Sequence, residues 1–80
     1  MSTMNYIEEL ISGDTFIIDN HYYIVTTDFN KKGAKFCINL HDGTCKWLDP
    51  SYIVKKSPVY ILDTDNNIIP LKKEQDKINV

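Results

Sequence analysis

The sequence predicts a mainly β protein: a small antiparallel barrel of five to six strands preceded by a short N-terminal helix. Three observations predict it. After Gly13 the apolar residues change from helical spacing to strand-like runs rich in β-branched and aromatic side chains. Polar clusters and tight-turn dipeptides separate those runs at short intervals. The chain has 80 residues, enough for one domain that buries roughly 60–65% of its unfolded surface, and short strands with tight turns in so small a domain imply a meander closed on itself.

Element by element, the helix is expected over about 5–11. Asn5 can cap it, with Glu8 three positions on, and Met4, Ile7, Leu10 and Ile11 recur at intervals of 3 and 4 to form one apolar stripe. Ser12-Gly13 ends it. So short a helix is marginal alone, and its stripe is expected to cover a sheet edge or a barrel mouth. Strand runs follow at 14–19 and 22–29, with Asn20-His21 between them, then a polar loop at 30–34. The next runs are 35–41 and 44–48, joined by Asp42-Gly43. Asp49-Pro50-Ser51 interrupts the pattern, 58–63 resumes it, 64–67 is a turn, and 68–71 is the last strand. The barrel thus spans about 13–72, and a frayed tail 73–80, within a single domain 1–80.

Asp-Gly between two strand-like runs is a strong hairpin signal, because a type I′ turn needs positive φ at both positions. As a two-residue loop it pairs His41 with Thr44, Leu40 with Cys45, Asn39 with Lys46 and Ile38 with Trp47. Alternation then gathers Phe36, Ile38, Leu40, Cys45 and Trp47 on one face, expected to be the core, and Cys37, Asn39, His41, Thr44 and Lys46 on the other. Cys37 and Cys45 fall on opposite faces and cannot bridge. Cys37 and His41 share a face but stand about 13 Å apart at roughly 3.3 Å per residue, whereas zinc needs its ligands within about 2.3 Å. No metal site is expected, and Cys45 reads as a small core residue. The spacing from Asp63 to Glu74 matches the ends of a calcium loop, but Ile68 stands where a glycine is required and Pro70 follows. A turn rich in Asp and Asn accounts for the same residues.

Composition narrows the function classes. The net charge is −2 and all nine basic residues are lysine. Arginine provides the planar fork that reads base edges and phosphates, so nucleic-acid reading is disfavoured. The lysines occur as pairs at 31–32, 55–56 and 72–73 with no long run. No apolar run reaches the roughly 20 residues of a membrane span, the N-terminus has no basic start followed by an apolar core, and the chain is expected in the cytoplasm with both thiols reduced. Asp14, Asp19, Asp28, Asp42, Asp49, Asp63 and Asp65 fall at strand ends and turns, where aspartate serves its own backbone. No spacing assembles a nucleophile, base and acid, and the three glycines, Gly13, Gly33 and Gly43, form no phosphate loop. The expectation is a protein without catalytic residues, metal or cofactor.

Residues 47–54, WLDPSYIV, resemble the one-turn segment before the last strand of an SH3-like barrel, through Pro50, Ser51, Tyr52 and Val54. With "GDTF", "YYIVTTDF" and "CINLHDGT" before it, residues 13–73 look like the short SH3-like antiparallel β-barrel accessory proteins encoded by tailed bacteriophages. The paired tryptophans and the Ala-Leu-Tyr-Asp-Tyr-like start of peptide-binding SH3 domains are absent, so proline-rich ligands are not implied. The resemblance implies action in the host cytoplasm, as a protein that blocks a host defence component or sequesters its nucleotide signal.

The residues themselves place apolar side chains on both sides of the central strands. Tyr23, Val25 and Phe29 alternate with Tyr22 and Ile24, while Ile17, Cys37 and Leu48 oppose the side assigned to Phe16, Ile18, Ile38 and Trp47. A barrel this small fills one interior. The other side is covered either by the N-terminal helix or by another chain, and an exposed apolar-aromatic patch marks a partner or self-association surface. Tyr22, Ile24, Tyr52 and Tyr60 are the candidate binding residues, since tyrosine combines contact area with a hydrogen-bonding tip. Two functions follow: a non-catalytic, homo-oligomeric module that binds a host protein, or a sponge that holds a small nucleotide between tyrosines and lysines.

Overall fold

The computed structural model of the protein describes residues 4–71, which are mainly β, with no α-helix among them. The strands are β1 (Met4–Tyr6), β2 (Thr15–Ile18), β3 (His21–Phe29), β4 (Lys35–Asn39), β5 (Cys45–Leu48), β6 (Ile53–Lys56), β7 (Tyr60–Leu62) and β8 (Ile68–Pro70). The first six form an antiparallel sheet in the order β1-β6-β2-β3-β4-β5, and β7 and β8 pair only with each other. The expected tail at 73–80 lies outside the described residues.

Closure into a barrel is corrected to an open sheet, with β1 and β5 at its edges. Between those edges runs the turn after β5, where Asp49 accepts hydrogen bonds from the Ser51 amide and hydroxyl. Its backbone meets the segment after β1: the Ile7 amide donates to the Tyr52 carbonyl (2.8 Å) and the Glu8 amide to the Pro50 carbonyl (3.0 Å). Two hydrogen bonds to a turn stand where a closing ladder would run. The strands expected at 58–63 and 68–71 are also corrected: they leave the sheet and form the β7–β8 hairpin by themselves.

The N-terminal helix over 5–11 is replaced by β1 and a single 3₁₀ turn, Ile7–Glu9. Pairing wins over local propensity here. Met4, Asn5 and Tyr6 sit opposite Lys55, Val54 and Ile53 of β6, and an isolated seven-residue helix gains too little to compete with a ladder plus burial. Glu9, not Glu8, reaches back, accepting from the Tyr6 amide (2.9 Å). Of the expected stripe, Ile7 and Leu10 are fully buried at a spacing of three, which suits a 3₁₀ turn, while Met4 and Ile11 are exposed.

The β2–β3 hairpin turns at Asp19-Asn20, one residue earlier than the sequence indicates. Both have positive φ (50° and 67°), the type I′ geometry whose twist matches the flanking strands. The β4–β5 register is two residues short of the expected one: Ile38 pairs with Cys45 and Phe36 with Trp47. The two-residue loop gives way to a longer one in which the Asn39 side chain accepts from the His41 amide, Asp42 accepts from the Thr44 amide and hydroxyl, and the Gly43 amide donates to the Asn39 carbonyl. A shift of two preserves every facing relation, so Cys37 and Cys45 remain on opposite faces, and both are free thiols.

Which face is the core is reversed on β4 and β5. The buried set is Ile7, Leu10, Phe16, Tyr23, Val25, Cys37, Leu48 and Val54, with Ile18 against it. Cys37 and Asn39 point in, whereas Cys45 and Trp47 are exposed. The inside of a short curled sheet is narrow. It holds one aromatic pair, Phe16 stacked on Tyr23 with ring centroids 5.4 Å apart, and otherwise takes aliphatic side chains and a thiol. Phe16 and Tyr23 are the rings of this cluster, and Trp47 lies outside it and packs on Phe36 (4.8 Å). Phe29, expected beside Tyr23 and Val25, is exposed because an irregularity between Val25 and Phe29 breaks the alternation.

Gly43 has φ +79°, and a Cβ there would meet nothing within 4 Å. Strain therefore separates from crowding at this position. Gly43→Val is expected to lower unfolding stability by about 1–3 kcal/mol, because a β-branched residue resists the left-handed region, while Gly43→Asn is expected to cost well under half of that. Urea denaturation of the two variants checks this; equal losses would show that the loop does not depend on the left-handed conformation.

Candidate functional site

The strand register places a second apolar surface on the outside of the sheet. Antiparallel partners share a face. Ile24 of β3 lies opposite Ile38 of β4, which lies opposite Cys45 of β5; Ile17 of β2 lies opposite Tyr22; Phe36 lies opposite Trp47; and Tyr6 of β1 lies opposite Ile53 of β6. Tyr22, Ile24, Phe36 and Ile38 are half-buried by one another. Trp47 keeps 49% of its surface in solvent and Ile53 50%, and Tyr6 and Leu40 are also exposed. The residues of this row are those that strand propensity favours, so the same choices that form the ladder create the patch.

Of the four residues singled out from the sequence, Tyr22 and Ile24 stand on this face. Tyr52 is exposed at the turn into β6, and Tyr60 is exposed on the hairpin, so neither stands in the outer strand rows with Tyr22 and Ile24. Sequence reasoning assigned Ile38 and Trp47 to the core and so missed them here, together with Phe36, Ile53 and Tyr6. The available signal was the even spacing of Phe36, Ile38, Cys45 and Trp47, which groups them whatever their side.

The end of the sheet at the β2–β3 and β4–β5 turns is polar. The His21 and His41 rings approach to 5.1 Å, and Tyr22 stacks on His41 at 5.9 Å. Buried Asn39 anchors the pair through its amide nitrogen, 2.9 Å from His21 Nδ1. Asp42, beside them, is held below the usual carboxylate range by the Thr44 amide first and the Thr44 hydroxyl second. Among the described residues no three histidine, cysteine or acidic side chains come together to hold a metal ion. Asp63 is committed to its own turn, accepting from the Asp65 and Asn67 amides at 2.8 and 2.9 Å. Glu74, the other end of the calcium-like spacing, lies outside the described residues.

A shallow cleft of about 450 Å³ lies between the chain after Leu10 and the end of β3, lined by Ile11, Thr27, Asp28, Phe29, Gly33 and Lys35. Its ammonium is already engaged, because Lys35 Nζ donates to the Leu10 carbonyl. Asp14, near this end, accepts from the Ile11 amide (2.9 Å) and faces Lys56 at 3.8 Å. No helix of the described residues is long and apolar enough to cross a membrane.

Comparison with protein-family models, with curated proteins and with solved structures finds no match for this chain. The case for function therefore rests on the geometry.

The thiols give a direct readout of which face is outside. Burial pushes the Cys37 thiol up to about 11, against the opposing pull of Lys35 and Lys46, so it is neutral and shielded near pH 7, while Cys45 is exposed. Native protein treated with a thiol reagent is expected to react at Cys45 and to leave Cys37 untouched until denaturant is added. Equal native rates at both positions would contradict the facing described here.

Acid should loosen the turns. Asp42, Asp49 and Asp63 are all lowered, by the Thr44 amide, the Ser51 hydroxyl and the Asn67 amide respectively as first causes. Carboxyls depressed in the folded state stabilise it above the unfolded value of about 3.9, and that stabilisation is lost as pH falls through the folded values. Denaturation midpoints are expected to hold from neutral pH to about pH 5 and to fall below about pH 4. Replacing Asp63 with asparagine should shrink the acid-dependent fall; an identical pH profile would show that its turn contributes none of it.

Proposed function

We propose that the protein is a non-catalytic binding module whose outer sheet face docks another protein. The observation that carries this reading is the outer apolar-aromatic row from exposed Tyr6 and Ile53 across half-buried Tyr22, Ile24 and Ile38 to exposed Trp47. Soluble monomers rarely leave contiguous apolar patches beyond roughly 300–600 Å² open to water. The tyrosine and tryptophan content of the face matches the composition of interface centres. A catalytic role finds less support, because Asp42, Asp49 and Asp63 are occupied by their own turns. A nucleotide sponge is also less well supported, since Lys35, the cation at the cleft, is tied to Leu10.

In this reading the partner is a host protein, a defence component in the sense that the resemblance to SH3-like accessory proteins of tailed bacteriophages implies, and the setting is the host cytoplasm. The meander of short antiparallel strands is the part of the fold that supports that resemblance. Trp47→Lys and Tyr22→Lys place charge on the outer face while leaving Phe16, Tyr23 and Val25 in place. Immobilised wild-type protein is expected to retain a specific partner from bacterial lysate, and both variants are expected to lose it by tenfold or more with unchanged far-ultraviolet circular dichroism. Retention by folded variants at the wild-type level would overturn the assignment of the face.

A further inference from the structure

We infer that the β7–β8 hairpin is a dimerisation arm that lies on the outer sheet face of a second copy of this chain. The inference rests on the reading of that face as an interface and names what first occupies it. The hairpin pairs Tyr60 with Pro70, Ile61 with Ile69 and Leu62 with Ile68, and neither of its edges joins the main sheet. Its apolar side chains point both ways, and Tyr60, Ile61, Leu62, Ile68 and Ile69 keep between 38% and 71% of their surface in solvent. A lone two-stranded hairpin is marginally stable in water, and three strands or a packing surface are needed to hold one. Among the described residues no third strand pairs with this hairpin.

Among the described residues nothing covers either element: the arm pairs only with itself, and Tyr6, Trp47 and Ile53 stay exposed. A second copy supplies both missing halves, because each chain carries one uncovered arm and one uncovered face. Taking roughly 150–250 Å² for a large side chain, the side of the arm that carries Tyr60, Leu62 and Ile68 offers on the order of 400 Å², and the exposed part of the face offers a similar area. Two reciprocal arm-to-face contacts related by a two-fold axis would bury about 1,600 Å², within the roughly 1,200–2,000 Å² of stable interfaces. Charge is compatible as well: the arm carries Asp63 and Asp65 at its tip, and the strand register places Lys55 on the outer face beside Ile17.

Sedimentation equilibrium separates this arrangement from its alternatives. Wild-type protein at tens of micromolar is expected at twice the 9.3 kDa chain mass. An arm variant, Leu62→Lys with Ile68→Lys, and a face variant, Ile38→Lys with Trp47→Lys, are each expected to be monomeric. Mixed together they should recover dimer, since the intact arm of one meets the intact face of the other. Far-ultraviolet circular dichroism identifies any variant that fails to fold, and Trp47→Lys alone then replaces the double face variant. A dimeric arm variant beside a monomeric face variant would mean face-to-face contact and overturn the arm, while leaving the face as an interface. A dimer unaffected by either variant would count against both. A wild-type monomer overturns the arm, and the face then stands or falls on partner capture.

Discussion

The narrow interior of a short, curled sheet is the constraint on which the rest of the molecule depends. Ile7 and Leu10 descend onto it from the 3₁₀ turn, Phe16 stacks on Tyr23, and Val25, Cys37, Leu48 and Val54 fill what remains. At close-packed density a third large ring would have to displace one of these. The size of that space decides which alternate residues of each strand face inward, and so which are left outside. Trp47 and Phe36 are outside because Phe16 and Tyr23 are inside.

Three polar side chains at the interior or its rim are tied down. Asn39 uses both ends of its amide, one toward His21 and one toward the His41 backbone. Thr15 donates to the Ser57 carbonyl and Lys35 to the Leu10 carbonyl. These bonds hold the segments flanking the sheet against it, at positions where an unpaired buried group would cost about 1–3 kcal/mol. The outer face has few such ties. It is held by ring contacts and cross-strand packing.

Much of the fold was legible because the strand signals are local. The runs at β2, β3, β4, β5, β7 and β8 follow from β-branched and aromatic residues between turn formers, and the opposition of Tyr22 and Ile24 to Tyr23 and Val25 follows from period two. What was not legible depends on distance in sequence. Met4, Asn5 and Tyr6 become a strand only because Ile53, Val54 and Lys55 are beside them, and nothing in either segment encodes the other. The choice of core face on β4 and β5 failed for a related reason: Trp47 is the more apolar-looking residue, but Cys37 is the one that fits. The candidate binding residues were half legible, since two apolar faces could be read from alternation while the independence of the hairpin carrying Tyr60 could not.

The aspartate turns carry a consequence for how the chain acquires this structure. Asp42, Asp49 and Asp63 each fasten a bend with an amide two residues on, and Asp19-Asn20 adopts its turn within two residues. Hairpins built on such bends close short loops, whereas joining β1 to β6 closes one of roughly fifty residues at a larger entropic cost. The β2–β5 meander can therefore assemble from neighbouring segments, and the pairing that seats Ile7 and Leu10 comes late. Until then the inner face is as open to water as the outer one. A nascent chain presents two sticky surfaces where the finished protein presents one, and the order of synthesis, with β1 emerging first and its partner β6 far behind, prolongs that exposure.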